Sequence, residues 1–414
     1  MAELYALENT VQHYDWGSTT RLHELLGTLP DGVPAAELWL GAHPSAPSRV
    51  ARTSNGAPPG TTTTSTTLLE LVRRDPHAML GRRVADEYGP RLPYLLKVLA
   101  ADRALSLQVH PRPHAARAGF NRENRLGLPP GDPRRSFHDD QHKPEMVVAL
   151  TEFDGLAGFR TPRTVLDLLD GLDGALVGVV RDALRADRSA RGVREAFTRL
   201  VAARHDPAGH AAIEAAVASV RSRLEAGSPS ARADATVVRL AREHPGDPGA
   251  IASLMLNRVT LDPGQALFLP AGEVHAYLSG LGVEVMASSD NVLRAGLTTK
   301  RVDEDALIEC ASFAPRPPGV PDVRTSGGRG QVSTYRVPVG EFALTTADVD
   351  PSEDLDLPAS GPRTVLCLGG DVALSATGRD EPAPLARGAS VFVPHDAGAL
   401  RVSGAGHVVC AWVP

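Results

Sequence analysis

One hairpin constrains this chain more than any other stretch. Gly264–Tyr277 reads Gly-Gln-Ala-Leu-Phe-Leu-Pro-Ala-Gly-Glu-Val-His-Ala-Tyr. Alternating apolar residues lead into a Pro-Ala-Gly turn, and a second strand then carries His275 and Tyr277 on one face. Pro270 pre-sets φ for the turn, and Gly272 can take the positive φ that a tight hairpin needs. The pattern demands antiparallel β structure, and a histidine pointing inward just past the turn suits a metal site inside a β-barrel. A lone histidine is more often a satisfied core residue, so the reading depends on partners supplied from elsewhere in the chain.

Those partners stand in three other stretches. Leu105–Pro111 alternates and sets Ser106, Gln108 and His110 on one face, where two neutral donors at i and i+2 can reach one metal. Asp140–Glu145 opens the apolar strand Met146–Leu150. An acid at the head of a buried strand needs a cation beside it, and a metal or an arginine would answer for Glu145. His142 and Lys143 fall at the rim of the same place. Lys97 lies within the apolar strand Leu92–Ala100, so its ammonium needs a carboxylate or an anionic ligand. Composition sharpens this point: of 43 basic residues only Lys97, Lys143 and Lys300 are lysines. All three fall in motif-bearing stretches, where a compact ammonium differs from a guanidinium fork. Between Ser288 and Lys300, Arg294 and Lys300 flank hydroxyl residues and would suit a phosphate, although a solvated basic loop is the plainer alternative.

The remaining features set the frame. At 414 residues the chain has room for roughly two to three domains. The net charge of −6 argues against nucleic-acid binding. Met1–Gly17 lacks the pattern of a signal peptide, and no stretch approaches the roughly 20 apolar residues of a membrane span. Three cysteines without metal spacing read as reduced thiols, so a cytoplasmic protein is expected. Thr53–Thr67 reads as an exposed loop, Leu68–Arg83 as a helix, and Thr161–Arg242 as a helical insertion. Beyond a Pro/Gly-rich linker at Pro315–Gly330, the rest is strand and turn. Gly388–Pro394 repeats the Gly-x5-Pro half of the hairpin motif without a histidine equivalent to His275, and His395 reads as a surface turn residue.

The hairpin spacing is similar to the second metal-binding motif of the cupin barrels. Together with Gln12–Gly17, Leu92–Pro111, His142–Leu150 and Ser289–Lys300, in that order along the chain, it resembles the type I mannose-6-phosphate isomerases (phosphomannose isomerases). The resemblance implies a mainly β fold of cupin (jelly-roll) barrels: a metal-binding barrel, a C-terminal metal-free barrel and an α-helical insertion. In numbers, this is a catalytic zinc domain of residues 1–160 and 251–320, an insertion of 161–250 and a jelly roll of 321–414. It implies one Zn2+ per chain, bound by Gln108, His110, Glu145 and His275. Arg294 and Lys143 would be catalytic, with Asp290 and His142 as helpers. Ser106, Lys97 and Lys300 would hold a phosphate, and Trp16, Glu284 and Tyr277 would line the pocket. The implied chemistry is aldose–ketose isomerisation of a sugar phosphate through a cis-enediol, in the metabolism that leads to GDP-mannose. A monomer with no nucleic-acid or membrane partner is expected. Arg112-Pro113-His114 departs from the acidic-basic pair the family often has there. Two alternatives stay open: a cupin enzyme of another kind, such as an iron dioxygenase, against which Gln108 counts, and a non-catalytic sugar-binding bicupin, which would not need three lysines and Arg294 around one metal.

Overall fold

The computed structural model describes residues 3–50, 66–205, 207–377, 379 and 381–414. The greater part of the expected 53–67 loop lies outside them. Two ten-stranded antiparallel sheets form the frame. The first is organised on the long strand His275–Ala287, which pairs in turn with four others. Its opening half meets Leu107–Val109 and Phe153–Phe159, and its closing half meets Tyr94–Ala101 and Glu145–Ala149. The register shifts between Tyr277 and Ser279, and Gly280 follows at φ 128, where a Cβ would stand 2.7 Å from the Glu152 carbonyl. Only glycine lets the strand bend there from one set of partners to the other.

Period-two alternation explains how one strand can serve a core and a cavity together. Along Tyr94–Ala101, residues 94, 96, 98 and 100 enter an apolar cluster shared with the second sheet, where Leu344, Leu366, Phe392, Val409 and Ala411 meet them. Lys97 points the other way. The Tyr94 hydroxyl crosses the same boundary and donates to the Ala411 carbonyl at 3.0 Å. The two sheets therefore share a core.

The second sheet runs through Ala343–Val349, Leu400–Trp412, Arg363–Ala376 and Ser390–Val393. Beyond these lies a strand from the opposite end of the chain, Tyr5–Glu8, paired Tyr5 to Phe392 and Ala6 to Val391. The first strand of the protein thus completes the sheet built by its last hundred residues.

Helices run from Pro162 to Ala252. Thr161 caps the first by accepting from the Thr164 amide. Their apolar faces join a cluster that continues into the first sheet through Leu107, Val109, Leu156 and Ala276, with Phe159, Phe197 and Phe313 in mutual ring contact. Among the described residues no helix is long and apolar enough to cross a membrane.

Two local expectations change. The stretch read as one helix over 68–83 is three short ones, Leu68–Arg74, Pro76–Leu80 and Arg82–Tyr88. Pro76 has no amide proton to continue the first, and Gly81 at φ 81 ends the second. His395 is half-buried rather than on the surface: it accepts from the Gly361 amide at 3.2 Å and packs so closely on Gly81 that a Cβ there would meet its ring at 2.7 Å.

Candidate metal centre and substrate cleft

Glu145 is the first residue of its strand, held in register between Leu269 and Met286. His275 opens the long strand opposite Gln108, and His110 follows the short strand Leu107–Val109. These placements bring three side chains together below the floor of a cleft. Glu145 Oε1 lies 3.2 Å from His110 Nε2, and Glu145 Oε2 lies 3.3 Å from His275 Nε2. One ligand atom from each residue lies within 4.8 Å of the other two.

The outer edges of both rings settle their tautomers. His110 Nδ1 meets the Asn291 carbonyl at 2.6 Å and His275 Nδ1 meets the Glu273 carbonyl at 2.9 Å. A carbonyl only accepts, so each Nδ1 carries a proton and each Nε2 is turned inward. Both Nε2 atoms and Glu145 Oε2 are buried without a hydrogen-bond partner. Burial pushes the His110 imidazole down to about 4 against the pull of Glu145. Burial also opposes ionisation of Glu145, but His110 and Lys143 outweigh it and hold that carboxyl well below its ordinary value. A neutral His110 imidazole and an ionised Glu145 carboxylate thus meet His275 Nε2, with Lys143 donating to the other carboxylate oxygen, Oε1. Such a set fits a divalent cation and suits little else.

Above this floor lies a cavity of about 630 Å³. Gln108, half-buried on its wall, is in register with both His275 and Arg294. The buried Lys143 ammonium is 3.0 Å from Glu145 Oε1. Of the other expected residues, Asp290, Arg294, Ser106, Lys300, Trp16, Tyr277, Glu284 and Lys97 all line this cavity. His142 does not. It turns away to Glu341, just before the strand Ala343–Val349, with Nε2 2.6 Å from Oε1, and faces a separate crevice of about 280 Å³.

Four of the cations that line the cleft divide into two kinds. Lys97 stands opposite Glu284 and Trp39 in register. Its Nζ is 3.3 Å from Glu284, 3.7 Å from Glu37, and 5.0 Å from the Trp39 ring centre. Burial alone would lower its pKa, but the two carboxylates raise it above the ordinary value. Lys143 is likewise paired, to Glu145. Arg294 and Lys300 have no carboxylate at ion-pair distance among the described residues; burial lowers the Arg294 pKa, and Lys300 stands 6.0 Å from the Tyr14 ring centre. Leu297, at φ 53, turns the chain between them.

Sequence reasoning missed several neighbours. Glu37 accepts from Trp39 Nε1 at 2.6 Å and helps to fix Lys97; a Glu-x-Trp pair on one face of an apolar strand was the available signal. Asp290 accepts from the Ser45 hydroxyl at 2.6 Å and lies 3.6 Å from His43. Burial outweighs Asp290 and pushes His43 down to about 4. Glu243 and His244, at the end of an insertion helix, form a far wall with Arg103, and no local pattern marks them. Glu284 is pushed up to about 6 by burial and by Glu145, against Lys97, and it accepts from the Tyr277 hydroxyl at 2.8 Å.

Comparison with known proteins points one way. Residues 4–162 match the model of the phosphomannose isomerase type I catalytic domain. The chain is 35% identical over 404 residues to the mannose-6-phosphate isomerase of Salmonella typhimurium, covering 97% of each chain. It is 34% identical to that of Escherichia coli over the same share. A crystal structure of a zinc-bound mannose 6-phosphate isomerase superposes over 100% of both chains, with a TM-score of 0.86 and 32% identity.

Proposed function

The chain belongs to the type I phosphomannose isomerases, and on that footing we propose that it holds one zinc ion at His110, Glu145, His275 and Gln108 and interconverts mannose 6-phosphate and fructose 6-phosphate. The observation that carries the reading is the buried set of inward-facing acceptors, two imidazole nitrogens and a carboxylate oxygen without a donor between them. Bound there, zinc supplies Lewis acidity towards the sugar oxygens. The cavity volume falls within the range of small-molecule sites.

The chain's own residues do the rest. Isomerisation moves a proton between C1 and C2 through a cis-enediol, and Lys143, the lysine closest to the acceptor set, is the group proposed to carry it, taking the proton from one carbon as the neutral amine and returning it to the other from the ammonium. Arg294 hardly deprotonates, so its part is to stabilise negative charge on the enediol oxygens or the phosphate. Arg294, Lys300 and Ser106 are proposed to hold the phosphate, because Arg294 and Lys300 line the cleft with no carboxylate at ion-pair distance among the described residues. Lys97, already neutralised by Glu37 and Glu284, is assigned instead to orienting those carboxylates and Tyr277 towards sugar hydroxyls. Trp16 closes one side. Asp290, anchored by Ser45, is set to accept a proton from a hydroxyl at the rim. His142, facing Glu341, would act by holding the loop that carries Lys143 rather than by touching substrate.

The two sheets are read as a metal-binding cupin barrel of residues 1–160 and 251–320 and a metal-free jelly roll of 321–414, with 161–250 inserted and Tyr5–Glu8 lent to the jelly roll. A coupled assay of mannose 6-phosphate to fructose 6-phosphate conversion, run before chelation, after it, and with zinc restored, tests the function. Loss and recovery with the metal supports it. A folded, zinc-loaded protein without turnover on this pair refutes the substrate assignment, and a Lys143→Ala enzyme with near-normal turnover removes Lys143 from the mechanism.

A further inference from the structure

We propose that Arg316 is a positioning residue for the metal centre, acting through Glu273 on the orientation of His275. The proposal rests on the reading that His275 and its neighbours hold zinc. After the helix Glu304–Cys310 the chain runs as a strap across the hairpin that bears His275. Three backbone contacts fix it there: the Ser312 amide donates to the Gly272 carbonyl at 2.7 Å, the Gly319 carbonyl accepts from the Phe268 amide at 2.9 Å, and the Arg316 amide donates to the Phe159 carbonyl at 3.2 Å. From this strap the Arg316 guanidinium reaches inward and grips a single oxygen, Glu273 Oε2, with Nε at 2.6 Å and with Nη2.

Glu273 is 2% exposed, and its other carboxylate oxygen has no partner. Arg316 is therefore the group that makes a buried carboxylate tolerable at this point. The same residue's backbone carbonyl accepts from His275 Nδ1 and so sets which way that ring faces. One residue earlier, the Gly272 amide donates to the His110 carbonyl at 2.7 Å. The hairpin tip thus touches both histidines of the acceptor set, and Glu273 is its anchor. The space for the carboxylate is tight: a Cβ on Gly158, at φ 66, would come within 3.1 Å of it. Without Arg316 the Glu273 side chain loses the contact that anchors it in the interior, and its displacement shifts the carbonyl that aims His275.

Groups that orient a metal-bound histidine typically change metal affinity 10- to 100-fold when removed. The Arg316 side chain is 40% exposed, so Arg316→Met leaves the packed core intact. Chelator competition should show zinc binding weakened by roughly 10- to 100-fold in Arg316→Met, with a substantial part recovered in Arg316→Lys. The visible absorption of the cobalt(II)-substituted protein should change in the Met variant, since ring orientation alters the ligand field. Parent zinc affinity together with an unchanged cobalt spectrum in Arg316→Met would overturn the proposal. A parent protein that takes up no zinc overturns the underlying reading instead, and that result is seen before any variant is made.

Discussion

Replacement of Lys97 by methionine separates two jobs that one ammonium could have. In the structure Lys97 is buried, ion-paired to Glu284 and Glu37, and set over Trp39. Removing one partner of a buried charge cluster costs about 3–5 kcal/mol, because the remaining charges are left uncompensated in the interior. The cost should depend on pH in a calculable direction. Glu284 has its folded-state pKa pushed up to about 6 from an ordinary 4.5. Its neutral form is therefore favoured by folding: the stability it contributes is present in full below pH 4.5 and lost as pH rises through 6, a swing of about 2 kcal/mol at 1.36 kcal/mol per unit. Without Lys97, which lowers this pKa, the value climbs further, and each added unit costs about 1.4 kcal/mol at pH 8 but nothing at pH 5. Denaturant unfolding of chelator-treated parent and Lys97→Met proteins at both pH values measures the difference. The variant should be less stable by about 3–5 kcal/mol at pH 8 and by distinctly less at pH 5. Equal stability at pH 8, together with a raised KM for the sugar phosphate, would refute the reasoning, because Lys97 would then be an anion ligand and not the keystone of a carboxylate cluster. A deficit that does not shrink in acid would refute the linkage to Glu284.

Two further changes probe the same cleft. Tyr277→Phe removes the hydroxyl that donates to Glu284 at 2.8 Å; with both groups buried, stability should fall by about 1.5–3 kcal/mol, read by denaturant unfolding, with kcat/KM falling alongside. Glu341→Gln removes the charge from the contact with His142 while leaving an oxygen that can accept from its ring. Burial would raise the Glu341 pKa, but the hydrogen bond from His142 outweighs it and lowers the value. The contact therefore stabilises the fold above the ordinary carboxylate pKa and loses that contribution as pH falls through the depressed one. A parent–variant difference of up to about 1 kcal/mol at neutral pH should shrink as the pH falls below the ordinary carboxylate range, and a difference that persists undiminished in acid would sever it from the Glu341 charge.

Much of the candidate metal centre was legible in the sequence, for local reasons. His275 is announced by turn chemistry, with Gly272 at φ 93 where the tight turn requires it. Gln108 and the strand leading to His110 follow from period-two alternation, and Glu145 from the cost of an acid at the head of a buried strand. What stayed hidden depends on contacts between residues far apart in the chain. Nothing near His142 says that it will face Glu341, 199 residues away. The alternation around Lys97 showed that a partner was needed, but only the pairing of Glu37–Leu40 and His275–Ala287 on either side of it supplies Glu37 and Glu284. Glu243 and His244 reach the cleft because their helix docks there, held by Arg239 on the Leu278 carbonyl at 2.9 Å.

The pairing of Tyr5–Glu8 with Ser390–Val393 bears on how this protein is made. On a ribosome this strand emerges about 380 residues ahead of its partner, a delay of roughly 20 to 80 seconds at ordinary elongation rates. During that interval, among the described residues, only the two-residue strand Arg49–Val50 can cover one edge of it. The strand therefore cannot be completed on both edges until Ser390–Val393 has been synthesised, and the nascent chain carries an unmatched strand edge until then. A truncation that removes the last two strands would leave that edge permanently open, so damage at one terminus would surface as aggregation at the other.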